Sequence, residues 1–260
     1  MIGVELLDDP HADPAEVRLE LRDIACLNAL FGGTHAVVRE LEPLFERRRR
    51  ETGDGKQGTG NGKRETGNGR GEIWTLLDVG AGSGDIARAA VAAARRHGVT
   101  LRPVGVELSR TAAREARAVG LAALLADGGA LPIRPRSVDV VLASQVLHHL
   151  PRDVAVRWIA SFDRMARRAV VLADLRRSRL AMAGVWLASF PLGFRATTRR
   201  DAVVSLRRGY TKRELDEMLQ EARVRAVARY RPGFRIVAAW ETSDLRHQTS
   251  DVRPQRARSD

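Results

Sequence analysis

The fold class of this chain is most evident in the segment Leu76-Leu77-Asp78-Val79-Gly80-Ala81-Gly82-Ser83-Gly84-Asp85. An apolar run, IWTLLDV at 73–79, leads into three closely spaced glycines, and an alanine-rich helical pattern follows at 85–97. Glycine lets the backbone turn tightly and approach a ligand, and the first amides of a helix point at that ligand. The stretch therefore predicts a strand, a ligand-binding turn and a helix.

Strands and helices continue to alternate after this turn. Apolar runs predict further strands at 101–107, 121–127, 138–144 and 168–174. Helical patterns lie between them at 109–119 and 152–166. Near-continuous apolar strands separated by helices are typical of a parallel sheet covered on both faces. Two last runs, 223–230 and 234–241, predict an antiparallel hairpin that closes a Rossmann-like, doubly wound α/β sheet.

The rest of the chain predicts flanking segments around a main domain at 73–241. Residues 1–49 predict an N-terminal helical cap, with helices at 14–31 and from about Thr34 to Arg49. On the first helix we expect one apolar stripe, formed by Leu19, Ile24, Leu27, Leu30 and Phe31. The Gly-rich segment 50–72, in which RETGDGK returns as RETGNGR, predicts a disordered linker, and the polar segment 242–260 a disordered tail.

The composition is strongly basic, with a formal net charge of +12. Such a balance invites a nucleic-acid partner, but all but three of the 44 basic side chains are arginine, and they are spread along the chain. We favour a codon bias, with a polyanion-binding face as the alternative. Cys26 is the only cysteine, which excludes an intramolecular disulfide. With no secretory signal and no membrane span in the sequence, we expect a cytoplasmic protein, either monomeric or homodimeric.

Acidic residues follow three successive strands of the predicted sheet. Asp78 and Asp85 flank the first glycine turn, Glu107 ends the second strand, and Asp127-Gly128 follows the third. Ligands of a doubly wound sheet bind at this edge. The third glycine comes one residue too early for a dinucleotide fingerprint, and the acids would repel a pyrophosphate. A cofactor with a sulfonium and an ammonium group, S-adenosylmethionine, suits this loop better than NAD.

Four segments, LLDVGAGSGD, VGVELS, ADGGALPI and VDVVLASQVLHHL, resemble in order and spacing the motifs of class I S-adenosylmethionine-dependent methyltransferases over about residues 73–174. Within that superfamily the chain is similar to small-molecule enzymes of the ubiquinone/menaquinone-biosynthesis type and to their natural-product relatives. The resemblance implies a seven-stranded sheet of order 3-2-1-4-5-7-6 with the last strand antiparallel.

The resemblance also implies roles for individual positions. The donor's methionine end would be held by Asp78 and the loop Gly80, Ala81, Gly82, Gly84 and Asp85. Glu107, followed by Leu108, would bind the ribose, and Asp127 with Gly128 the adenine. Ser144 and Gln145 would flank the transferred methyl group.

A histidine pair and one acid are the candidates for catalysis. His148 and His149 follow the fourth strand, and Asp174 ends the fifth. A neutral imidazole can take a proton from a hydroxyl as oxygen attacks the methyl group, and Asp174 can fix its tautomer. Alternatively, Leu-His-His-Leu is structural, with one ring packed and one exposed. No cluster of acids or amides is visible in the sequence, so we expect no metal ion.

The apolar stretch within 176–200 predicts a lid over the substrate side of the sheet, with an ordinary buried helix as the alternative. The leading hypothesis is methyl transfer to oxygen of a hydrophobic phenolic, quinone-like or polyketide-like metabolite, with carbon as a second acceptor. A nicotinamide oxidoreductase and an RNA-directed methyltransferase or nucleic-acid-binding protein remain as alternatives. The scarcity of aromatic residues, 5% of the chain, argues against the nucleic-acid alternatives.

Overall fold

A seven-stranded sheet forms the centre of the computed structural model, which describes residues 4–9, 11–51 and 72–242. Its strands are β1 (Ile73–Val79), β2 (Thr100–Glu107), β3 (Ala122–Leu125), β4 (Val138–Ser144), β5 (Ala166–Leu175), β6 (Arg229–Arg231) and β7 (Arg235–Glu241). Their spatial order is β3-β2-β1-β4-β5-β7-β6. The first five strands pair in parallel, and β7 runs antiparallel to β5 and β6. The predicted fold class and strand order are confirmed.

Eight α-helices lie in the described residues: α1 (Pro14–Leu30), α2 (Gly33–Glu51), α3 (Asp85–Arg96), α4 (Arg110–Ala118), α5 (Arg152–Met165), α6 (Arg179–Ala188), α7 (Ala196–Arg208) and α8 (Lys212–Glu221). Two 3-10 turns, Leu6–Asp8 and Leu147–His149, complete the elements. The first strand of the predicted hairpin is shorter than expected, because α8 and the segment after it occupy the chain up to Arg229.

Each face of the sheet carries its own apolar core. On one face, side chains of β4 and β5 pack with α5 and α8, around Phe162 and Leu219. On the other face, Leu41 and Phe45 of α2 pack with α3 and with Trp74 of β1. The helix α2 is therefore a layer of the main domain, whereas the sequence assigned it to a separate cap.

The first helix, α1, buries only part of the expected apolar stripe, since Ile24, Leu27 and Phe31 are half-buried and line the cavity. Leu19 and Leu30 are exposed, while Val17, Glu20, Leu21 and Asn28 are buried. The reason is the position of α1, which packs against α4 and the turn Leu6–Asp8 and covers the carboxyl edge of the sheet. A helix that walls a ligand cavity turns polar groups inward, so hydrophobic periodicity mispredicts its buried face.

The predicted linker and tail fall almost entirely outside the described residues. At their edges, α2 continues to Glu51, past the predicted start of the linker. Thr242, the first residue of the predicted tail, is buried, and its hydroxyl donates to the carbonyl of Arg167 at 2.7 Å. Within the described residues, no helix is long and apolar enough to cross a membrane.

Candidate active site

A cavity of about 720 Å³ lies at the carboxyl edge of the sheet. Its floor is formed by the turns after β1, β2, β3 and β4, and its walls by α1, α6 and α7. This is the edge at which doubly wound sheets bind ligands, and the volume lies in the range of small-molecule sites. The turn after β1 and the histidine turn after β4 both open onto the same cavity.

The glycine turn after β1 has the backbone that its sequence requires. Gly80 and Gly82 adopt φ angles of 74° and 55°, which favour glycine because they lie in the left-handed region. A Cβ on Gly80 would lie 3.0 Å from a methyl group of Val146, so the turn also needs the absence of a side chain there. The amide of Gly82 donates to the Glu107 carboxylate, which ties the turn to the end of β2.

Three carboxylates are concentrated around this turn. Burial, together with the charges of Glu107 and Asp85, raises the pKa of Asp78 to about 8. Burial also raises the pKa of Glu107, although backbone amides of Gly82 and Leu108 oppose the shift. Burial and mutual repulsion disfavour the ionised forms of these acids, and a cationic ligand favours them again. The donor set therefore fits a group that carries a sulfonium and an ammonium.

The opposite end of the cavity is walled by the turn after β3. Asp127 is exposed, and its Oδ1 accepts from the amide of Gly129 at 2.8 Å. Gly128 is buried against an aromatic wall, since a Cβ on it would lie 2.7 Å from the ring of Trp158. Leu108, at the end of β2, reaches the cavity with an exposed side chain. This end of the cavity, lined by apolar side chains and one carboxylate, suits a flat ring of a bound ligand.

His148 and Asp174 form a buried pair beside the cavity. The Nδ1 atom of His148 lies 2.6 Å from Oδ1 of Asp174, and the two side chains are 2% and 5% exposed. Burial alone would lower the pKa of His148, but the charge and hydrogen bond of Asp174 raise it. Burial would raise the pKa of Asp174, yet His148 and the amide of Leu175 hold it down. The Nε2 atom of His148 is buried without a hydrogen-bond partner among the described residues.

Comparison with known proteins gives the family. The sequence profile of a family described as "Methyltransferase domain" matches residues 77–173, from β1 through β5. Residues 77–173 are therefore a methyltransferase domain. This match sets aside the alternative of a nicotinamide oxidoreductase and gives S-adenosylmethionine as the methyl donor. No curated protein sequence matches the chain significantly.

Solved structures resemble the methyltransferase at a distance. A SAM-dependent methyltransferase from Aquifex aeolicus has 14% identity and a TM-score of 0.47, with 65% of this chain and 81% of that chain covered. Magnesium protoporphyrin IX methyltransferase from Synechocystis PCC 6803, with bound SAH, has 16% identity and a TM-score of 0.45, with 80% and 86% covered. The mitomycin 7-O-methyltransferase has 22% identity and a TM-score of 0.44, with 65% and 49% covered.

Most of the residues that the sequence singled out line the methyltransferase cavity. Those in its wall are Gly80, Ala81, Gly82, Asp85, Glu107, Leu108, Asp127, Gly128, Ser144, Gln145, His148 and His149. Among the described residues, the other three candidates, Asp78, Gly84 and Asp174, lie behind this wall. Asp78 and Asp174 are buried carboxylates that act on their neighbours, and a Cβ on Gly84 would lie 3.1 Å from Leu121. Gly84 is therefore also required for packing, and its contact with the donor stays a prediction.

Residues of the first two helical elements complete the cavity of the methyltransferase, and sequence reasoning missed them. The side chain of Asn28 on α1 links Gln145, at 2.5 Å, to Asp85, at 3.2 Å. Leu21, Ile24 and Leu27 of the same helix add an apolar wall. The only sequence signal was a helix of weak amphipathic character ahead of the glycine turn, and this signal does not specify contact with the cavity.

Three side chains lie close together in an arrangement that could bind a metal ion, although the sequence predicted no metal site. Ligand atoms of Glu5, His148 and His149 lie within 4.8 Å of one another, close enough to hold a metal ion. The Nδ1 atom of His149 lies 2.7 Å from Asp8. Arg208 already donates to Glu5 at 3.1 Å and to Asp8 at 2.8 Å, so a fixed guanidinium compensates these carboxylates.

Proposed function

We propose that this methyltransferase transfers a methyl group from S-adenosylmethionine to an oxygen atom of a small, largely apolar metabolite of the phenolic, quinone-like or polyketide-like kind. The observation that carries the proposal is the buried His148–Asp174 pair beside the cavity. A base of this kind suits an acceptor that must lose a proton as it is methylated.

The pair has the arrangement that a general base needs. Nδ1 of His148 donates to Asp174, which leaves Nε2 free to accept a proton from the acceptor hydroxyl. Asp174 is fixed in turn by the backbone amides of His148 and Leu175. When bound, the donor supplies an electrophilic methyl group on a sulfonium. His148 would take the proton that the acceptor hydroxyl loses when its oxygen receives the methyl group.

The remaining residues bind and orient the two reactants. The glycine turn with Glu107 and Asp85 would hold the methionine and ribose of the donor, and Asp127 the adenine, while Asp78 would act from behind the turn. Ser144 and Gln145 would lie beside the methyl group, and His149, held by Asp8, would contact the acceptor.

The apolar character of the acceptor follows from the wall opposite the sheet. Leu21, Ile24 and Leu27 of α1 line the cavity together with Ala181 and Val185 of α6. We propose that α6 and the segment up to α7 form the lid over the acceptor. Its small residues line the cavity, while its large residues, Leu180 and Leu187 among them, are exposed.

A polyanionic acceptor is disfavoured by the charge of the cavity. Among its described lining residues, seven are acidic and one, Arg235, is a cation at every physiological pH. The positive net charge of the chain is therefore not concentrated at the methyl-transfer site, as an RNA substrate would require.

The proposal is tested by assaying the full chain with S-adenosylmethionine that carries a deuterated methyl group. The acceptor panel holds hydroxylated aromatics, hydroquinones, aliphatic amines and total RNA, and products are identified by mass and by NMR of the new methyl group. We expect O-methyl ethers of the aromatic panel, unchanged by EDTA, because the base is an imidazole. Transfer to RNA or amines alone would contradict the proposal, and loss of activity with EDTA would assign Glu5, His148 and His149 to a metal.

A further inference from the structure

Arg235 is a buried cation in the cavity wall, and no carboxylate of the described residues forms an ion pair with it. The residue is 4% exposed and begins β7, whose start lies at the same edge of the sheet as the ends of β1–β5. Its Nε atom donates to the carbonyl of Phe31 at 3.2 Å, and its Nη1 atom is buried with no hydrogen-bond partner in the described residues. A buried guanidinium that lacks an anion is costly, so such a group is rarely retained without a partner.

Asp174, the carboxylate whose charge acts on Arg235, makes no hydrogen bond or ion pair with it in the described residues. Asp174 lies one residue from Leu175, the residue that pairs with Arg235 across the sheet. Both oxygens of Asp174 already accept hydrogen bonds, from His148 Nδ1 and from the amides of His148 and Leu175. Burial lowers the pKa of Arg235 to about 10, and Asp174 offsets this only through its charge at a distance. Arg235 therefore stays charged at neutral pH with an unused donor.

The backbone around Arg235 is held rigidly. A Cβ on Gly233 would lie 2.0 Å from the carbonyl oxygen of Phe31, so the turn before β7 packs backbone to backbone against the junction of α1 and α2. The amide of Arg176 donates to the carbonyl of Phe234 at 2.8 Å from the other side. A guanidinium on such a support is preorganised to receive a planar anion with two oxygens.

We propose that Arg235 is a carboxylate-binding residue at the end of the cavity beside the junction of α1 and α2. Two carboxylates can reach such a site, the α-carboxylate of the methyl donor or an acid group on the acceptor. Arg235 is the one arginine or lysine among the described lining residues, which include seven acids. A carboxylate bound in the cavity would therefore pair with Arg235. The inference rests on the proposed function only where the carboxylate belongs to the acceptor, because the α-carboxylate belongs to the methyl donor.

Binding calorimetry separates the two sources without any need for turnover. The ligands are S-adenosylhomocysteine, its carboxamide, and 5′-methylthioadenosine, which has no amino-acid portion. If Arg235 holds the donor, wild type binds the acid about 10- to 100-fold more tightly than the carboxamide, and Arg235→Met removes that preference. Binding of 5′-methylthioadenosine stays unchanged in the variant, which a general loss of structure would not allow.

If Arg235 holds the acceptor, binding of S-adenosylhomocysteine is unchanged in Arg235→Met. Benzoate is then titrated into protein that is saturated with S-adenosylhomocysteine. It should bind wild type, and its affinity for the variant should be at least 10-fold lower. Arg235→Lys keeps the charge and should retain part of either preference, and Arg229→Met, on the exposed strand β6, is the matched control. The proposal is overturned if neither carboxylate preference exists in wild type, or if Arg235→Met weakens all ligands equally. The first of these outcomes needs no variant and so holds even if Arg235→Met fails to fold.

Discussion

At the scale of single residues, chemistry in this protein depends on how buried charges are compensated. His148 and Asp174 compensate each other, whereas Asp78 and Glu107 hold like charges around one turn. The His148–Asp174 pair favours the charged form of the histidine. The acids around the glycine turn favour their protonated forms, and a bound ligand changes both equilibria.

The base role of His148 predicts a defined pH profile. Because Asp174 keeps the pKa of His148 above its usual 6.5, the neutral form that can accept a proton appears only as the pH rises beyond that value. Turnover should therefore increase with pH above 6.5 and reach a plateau. His148→Gln should lower turnover by about 10²–10⁴ and abolish the pH-dependent limb. Asp174→Asn should shift the limb to lower pH, since it removes the charge that raises the pKa.

The two histidines are distinguished by their own variants. His149→Gln alters a ring held by Asp8 at a half-buried position and should have a smaller effect than His148→Gln. Equal turnover in wild type and His148→Gln, with donor binding intact, would make the His-His sequence structural.

Asp78 predicts that the ligand-free protein loses stability as the pH rises. Its pKa is about 8 in the folded protein and near 3.8 when unfolded, so folding favours the protonated form. The contribution of Asp78 to the free energy of unfolding is fully present below about pH 4. It is lost as the pH rises toward 8, by up to about 1.4 kcal/mol per pH unit. Urea unfolding at pH 5, 6.5 and 8 should show this fall, and Asp78→Asn should flatten it.

A second buried acid accounts for the slope that remains in that variant. Burial raises the pKa of Glu20 to about 7, in spite of a hydrogen bond from Thr198. Glu20→Gln is therefore the companion measurement. A wild-type slope that neither substitution reduces would show that the two carboxyls are charged in the folded protein.

At the scale of elements, the proposed lid helix α6 offers a direct test of where the acceptor lies. Gly184 lines the cavity, and a Cβ built on it meets no atom within 4 Å. Gly184→Leu should therefore fold, and should be slightly more stable because glycine is unfavourable inside a helix. The added side chain should raise KM for the acceptor while donor binding stays unchanged. Leu187→Ser, on the exposed side of α6, should change neither. Weaker binding of the donor together with an unchanged KM for the acceptor would show that α6 covers the donor instead.

The sequence predicted the elements whose signals are local. The strand, glycine turn and helix from 73 to 97 follow from apolar runs and glycine spacing, and the structure has them almost to the residue. Asn28, Glu5 and Arg235 could not be found this way, since contacts between distant segments place them. The amide of Leu6, for example, donates to Asp201 at 2.7 Å across 195 residues. The buried face of α1 was predicted only in part, because a helix over a cavity is selected for the ligand as well as for packing.

At the scale of the whole molecule, the chain separates its charges. The formal net charge of the chain is +12, whereas seven of the eight Asp, Glu, Lys and Arg side chains in the described wall of the cavity are acidic. The outer charge acts on encounter with other molecules, while the inner acids act on what the cavity binds. Net charge therefore describes the surface of this protein and says little about its ligand.

The most direct test of the account is calorimetry with S-adenosylhomocysteine and NADH on wild type and Glu107→Ala. We predict that wild type binds S-adenosylhomocysteine and not NADH, and that removing the carboxylate at the end of β2 costs about 1.5–3 kcal/mol of that binding. Equal affinity of the two proteins for S-adenosylhomocysteine would contradict the claim that this edge of the sheet holds the donor through its acids.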